Sequence, residues 1–268
     1  MVSKRRDARP TAEEAARRLL VLRYVVGYAY MTPPRDNLQA LMDKWSKDER
    51  LAFVGKAEAI RDEIWGTVRE LGLWPELAPT ELELAGKTAV TMSLREQINA
   101  TWRIEALQVL AWALRLVPEL PSYDTQANAD LVGMLAGKDP AEFIKSARLR
   151  PKAQIDKARD IAELWHWRSR TRQLIEQGSV LHPSEQMKAA GIRSYDDIVR
   201  SAASKALEAG DISSCIDGDF PAKGKAYRDL TAEEYADVTS ITSERHFAFN
   251  WLCGFAPDNQ WDETPTDT

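Results

Sequence analysis

At four points read as helix starts, a hydroxyl residue is followed three positions later by an acidic one: Thr11 with Glu14, Ser46 with Glu49, Ser194 with Asp197, and Thr231 with Glu234. At a helix N-cap the hydroxyl accepts from the backbone N–H three residues on, and the acid reaches back to the cap's own N–H. Two donors that a helix end leaves unpaired are thereby satisfied together. Apolar residues at three-to-four spacing follow the first two signals: Ala12, Ala16, Leu19, Leu20 and Tyr24, then Leu51, Val54, Ala57, Ile60 and Ile64. The pattern predicts helices over about 11–29, 47–71, 93–117, 126–136, 151–177, 194–209 and 231–254, with stops at Gly72, Pro118, Gly178, Gly210 and Gly254. Strand signals are scarce. The one candidate is a small hairpin within Leu82–Val90, interrupted by Ala85-Gly86-Lys87.

These signals imply an all-α fold: a single irregular multi-helix domain over residues 11–255, with a long loop-rich insert at 178–230. A basic tail (1–10) precedes it and an extended C-terminal segment (256–268) follows. A length of 268 residues allows one large domain, and 44% hydrophobic residues with nine tryptophans supply its core. A formal charge of −5 argues against nucleic acid or an anionic membrane as partner. The basic group Lys4, Arg5 and Arg6 reads as a solvated tail. Leu19–Tyr30 contains Arg23 and follows Glu13 and Glu14, so it reads neither as a signal-peptide core nor as a membrane span. Cys215 and Cys253 form no disulfide framework or metal spacing, which points to the cytoplasm.

Several motifs fail on inspection. Gly218–Lys225 is one residue too long for a phosphate loop, and Ala226 stands where Ser or Thr would hold magnesium. A calcium loop from Asp211, with Asp217 and Asp219, would need oxygen ligands where Cys215 and Ala222 stand, leaving at most a weak cation site. No nucleophile or metal motif is found, and His166, His182 and His246 lie far apart. No catalytic residue, metal or cofactor is therefore assigned.

Polar residues at positions the helical period marks as buried say more. Tyr235, Val238, Ile241, Thr242, Phe249, Leu252 and Cys253 share one helix face, with Arg245 in its middle and His246 and Asn250 on its edge. Leu94, Ile98, Trp102, Val109, Trp112 and Leu116 form a stripe containing Glu105, opposite Leu107, Leu110 and Leu114. Burying Arg245 and Glu105 unpaired would cost several kcal/mol each, so the least costly arrangement pairs them, or ties them into a network with Arg103 or Arg148. Such a pair is either a structural tie or a ligand site. His166, between Trp165 and Trp167, is either a satisfied structural residue or a proton carrier, and the tryptophans read as core rather than as an aromatic cage.

Trp102-Arg103-Ile104-Glu105-Ala106-Leu107, Ala147-Arg148-Leu149-Arg150, Leu164-Trp165-His166-Trp167, Glu244-Arg245-His246-Phe247-Ala248-Phe249-Asn250-Trp251-Leu252 and the ending from Trp261 resemble a bacterial family catalogued as a domain of unknown function, number 4272. The resemblance implies a helical, cytoplasmic protein and supplies no catalytic residues. It falls on the same interior positions: Arg103, Glu105, Arg148, His166, Glu244, Arg245, His246 and Asn250. Two functions follow as expectations. The first is a non-enzymatic protein-interaction or immunity-type factor, betrayed by an exposed apolar or acidic patch. The alternative is a small-ligand or anion binder, or an enzyme, in which Arg245 clamps an anion and His166 or His246 moves a proton. The oligomeric state is not legible.

Overall fold

The structure, a computed structural model, describes residues 9–266; the basic tail up to Ala8 lies outside them. The fold is all-α. The helices are α1 (Ala12–Met31), α2 (Arg35–Met42), α3 (Lys47–Glu70), α4 (Pro79–Ala85), α5 (Leu94–Ala113), α6 (Pro140–Ser146), α7 (Lys152–Glu176), α8 (Glu185–Ala189), α9 (Tyr195–Glu208) and α10 (Ala232–Leu252). All four hydroxyl–acid pairs act as reciprocal caps, at α1, α3, α9 and α10. Ser93 with Glu96 adds a fifth at α5. None of the helices among the described residues is long and apolar enough to cross a membrane.

The chain forms two compact units. The first takes in the described residues up to Leu120, then Ala127–Ile155 and Phe247–Pro265. Its centre is α1 packed on α5, with α3 and α6 also against α1. Leu19, Leu20, Val21, Leu22, Val25 and Val26 of α1 are all buried, each contributing roughly 1.5–3 kcal/mol by leaving water. From Ile104 to Ala113 α5 is buried on nearly every side, although the start of its expected stripe is not: Leu94 and Ile98 are 41% and 43% exposed. The helix stops at Ala113 rather than near 117 because Leu114 caps it and Arg115 turns left-handed, at φ 63°. The expected helix at 126–136 is only a short 3-10 turn, Ala129–Gly133.

The strand candidate at 82–90 is a helix and a turn instead. Pro79 occupies the first turn of α4, where its missing N–H costs nothing, and Glu81 caps the Ala78 N–H at 2.9 Å. A hairpin lies instead in the second unit, which takes in Pro121–Gln126, Asp156–His246 and, of the described C-terminal residues, Thr266. There β1 (Pro221–Ala222) pairs antiparallel with β2 (Lys225–Ala226), with Pro221 opposite Ala226. The Lys223–Gly224 turn has φ of 52° and 75°, the primed geometry that matches strand twist. Asp217–Gly218 makes a second turn of this kind, at φ 49° and 75°, under the bridge from Ile216 to Asp219. The segment around both turns is not a solvated loop, since Asp219, Phe220 and Tyr227 are fully buried. Trp165 of α7 stacks on Tyr123 at 5.4 Å and meets Phe220 edge-on at 5.3 Å.

Candidate functional site

In the second unit the sequence-flagged residues fall on the buried middle of α7 and the C-terminal half of α10. His166 and His246 stack with ring centroids 5.0 Å apart. His166 shares a 3.2 Å bond between its Nδ1 and the Ser243 hydroxyl and donates another to the backbone of Thr266. Burial lowers the pKa of His166, and burial with the neighbouring charges of His166 and Arg159 pushes that of His246 down to about 3. Both rings are therefore neutral at pH 7. Arg245, with no exposed surface, donates to the carbonyls of Pro121 (2.7 Å), Ser122 (3.1 Å) and Thr125 (2.8 Å), and its guanidinium lies 5.2 Å from the Tyr123 ring centre. Those bonds tie down a chain segment. Glu244 is half-buried beside it.

One fully buried ion pair of this unit joins two residues that the sequence reading did not connect. Arg168 Nε and Nη2 donate to the two carboxylate oxygens of Asp219, each at 2.7 Å, with both side chains out of water. Asp219 also accepts from the Phe220 and Arg228 amides. Burial alone would raise its pKa, but the Arg168 bond and charge, with the two amides, outweigh burial and hold it below the usual range. The carboxylate weighed as a calcium ligand thus has a guanidinium partner. Arg168 was findable in principle, because it lies three residues after Trp165 on one face of α7.

In the first unit Glu105 is fully buried and accepts from the Ala127 N–H at 2.7 Å. Half-buried Arg103 lies over the Phe247 ring at 4.8 Å, and Asn250 donates to the Pro265 carbonyl at 2.7 Å. Arg148 is exposed and donates to the carbonyls of Ala147 and Lys145, whereas Arg150 turns inward onto Trp112, Val117 and Pro118 carbonyls.

The same unit holds a cleft of about 370 Å³ between the start of α1, the chain leading into α4, and the C-terminal segment. That segment forms two 3-10 turns, Pro257–Asn259 and Trp261–Glu263, and buries Trp261 against Phe247 (4.8 Å) and Trp251 (5.3 Å), both edge-on. Asp262 pins it to α4 by accepting from the Thr80 N–H and hydroxyl at 2.9 and 3.0 Å. Glu14, Glu76, Asp258, Asp262 and Glu263 line the cleft, against one cation, Arg18. Arg18 is 5% exposed, is ion-paired with equally buried Glu81, and donates to the Glu76 carbonyl at 3.1 Å. With its charge neutralised by Glu81, the cleft presents a negative field focused between low-dielectric tryptophan walls.

A family model described as Domain of unknown function (DUF4272) matches residues 1–195 of the chain. The chain belongs to that family. The match takes in α1, α4 and α5 of this DUF4272 protein, with half of its cleft; the motifs around Glu244–Leu252 and from Trp261 lie beyond the matched residues. No curated protein and no solved structure matches the chain.

Proposed function

We propose that this DUF4272 protein is a non-enzymatic interaction factor of the cytoplasm, of the partner or immunity type, which takes a basic segment of a protein partner into the acidic cleft beside Trp261. The observation that carries this reading is the charge of the cleft: five acidic residues line it, and its one guanidinium is already paired with Glu81. A volume of about 370 Å³ lies in the range of sites that enclose a small group. The acidic balance of the chain further disfavours nucleic acid as the partner. The alternative, an anion site or enzyme on the buried Arg, Glu, His and Asn residues, loses support because Arg245 gives its donors to three backbone carbonyls and Asn250 to a fourth. We read those residues as architecture.

A photo-crosslinking side chain placed at Gln260, an exposed cleft residue, tests the proposal in cells. The crosslinked peptide is expected to centre on lysine or arginine, and the crosslink to disappear in the Glu76→Lys/Glu263→Lys variant. Crosslinks to acidic or neutral segments, or crosslinks indifferent to the charge reversal, contradict it.

A further inference from the structure

The floor of the cleft has a property that its acidic rim does not explain. Three buried polar atoms on residues lining it have no hydrogen-bond partner: the Trp261 indole Nε1, the Arg18 Nε and the Asn259 side-chain Oδ1. Trp261 is 4% exposed and Arg18 5%. The two are neighbours, with the guanidinium carbon 4.8 Å from the Trp261 ring centre. Asn259 is fixed by the Trp251 indole N–H, which donates to its main-chain carbonyl at 2.9 Å, and by a left-handed turn with φ of 49° at Asp258 and 57° at Asn259. An unpaired buried donor or acceptor costs about 1–3 kcal/mol, and native interiors keep few of them. Three on the lining of one cleft mark polar chemistry that arrives from outside.

Two donors and one acceptor are the complement of a peptide group, whose carbonyl oxygen takes two hydrogen bonds and whose N–H gives one. A carboxylate or phosphate would satisfy the donors but would meet the Asn259 oxygen and five carboxylates with its own negative charge. A bare ammonium matches the rim, yet leaves the Trp261 and Arg18 donors unpaired. We infer that the cleft recognises the main-chain amide of a lysine or arginine residue within a polypeptide: the peptide group on the Trp261–Arg18–Asn259 floor, the cationic side chain among the rim carboxylates. This rests on the acidic-cleft reading above and names its ligand chemistry.

Two probes separate the floor from the rim: N-acetyl-lysine N-methylamide, which has both amide and charge, and n-butylamine, which has charge alone. Each is titrated into the full-length ¹⁵N-labelled protein while the indole N–H resonance of Trp261 and the backbone amide of Glu263 are followed, with the other eight tryptophan indoles as controls. The blocked lysine is expected to bind about tenfold tighter, the ratio that a gain of about 1.4 kcal/mol from newly paired buried donors provides. It should shift the Trp261 indole, whereas butylamine should shift Glu263 alone. Trp261→Phe should reduce the affinity for blocked lysine to that for butylamine. Equal affinities with an unmoved Trp261 indole would overturn the inference and leave the acidic-cleft reading standing. Absence of any shift with either probe would overturn both.

Discussion

Replacing Asp219 by Ala removes four bonds at once: the two 2.7 Å bonds from Arg168 and those from the Phe220 and Arg228 amides at 2.7 and 3.0 Å. It also strands Arg168, which is 2% exposed and whose Nη1 already lacks a partner. Removing one member of a buried ion pair costs about 3–5 kcal/mol, chiefly because the surviving charge has no counter-charge and no water. Set against a typical stability of about 5–15 kcal/mol, that is a fifth of the total or more. Urea unfolding followed by far-ultraviolet circular dichroism should show the midpoint fall with little change in slope. The double variant Arg168→Met/Asp219→Leu, which removes both charges and keeps the volume, should recover most of the loss. A single-variant loss under about 1 kcal/mol, or a double variant as damaged as the single, would refute the reasoning. Because the folded-state pKa of Asp219 is lowered, the stability it contributes is complete above the ordinary value of 3.8 and is lost as the pH falls through the lower folded value.

Arg245→Lys should cost about 2 kcal/mol, since one ammonium cannot reproduce a fork that serves three carbonyls, and hydrogen exchange should rise selectively across 121–126; unchanged exchange there would contradict that role. His246 stays neutral when folded because its pKa is pushed down to about 3, so the unfolded chain binds the extra proton between about 6.5 and 3 and stability should fall as the pH drops through that window. Thermal melts at pH 7 and pH 5 should differ, and His246→Phe should flatten the difference; a wild-type melting temperature that is the same at both pH values would count against the burial of a neutral ring.

Of the long helices, α1, α3, α9 and α10 were legible because each carries its own start signal, and they and α7 lie within a few residues of their expected spans. Ser93 with Glu96 has the same spacing and went unread. α2, α4, α6 and α8 are eight residues or shorter, too brief for a 3.6-residue period to declare itself. Asp217–Gly218 is a hairpin-turn dipeptide that was open to reading, but with short strands flanking it the alternation of sides was missing. Glu105, His166, Arg245, His246 and Asn250 were expected at the interior or its edge, and all are buried. The cleft was not legible at all. Arg18, Glu81 and Trp261 stand in three distant stretches, and nothing local to any of them announces the other two.

The acidic cleft is tested most directly by the affinity of a short neutral peptide carrying one central lysine, measured by fluorescence anisotropy at low and high salt, for the wild type and for Glu76→Lys/Glu263→Lys. Each rim pair is worth about 0.2–1 kcal/mol and reversal adds repulsion, so the variant is expected to bind on the order of tenfold to a hundredfold more weakly. The wild-type affinity should also fall with salt, since charges at the rim are screened beyond about 8 Å at 0.15 M. Equal binding by the two proteins at low salt would contradict the claim that this cleft is built for a cation.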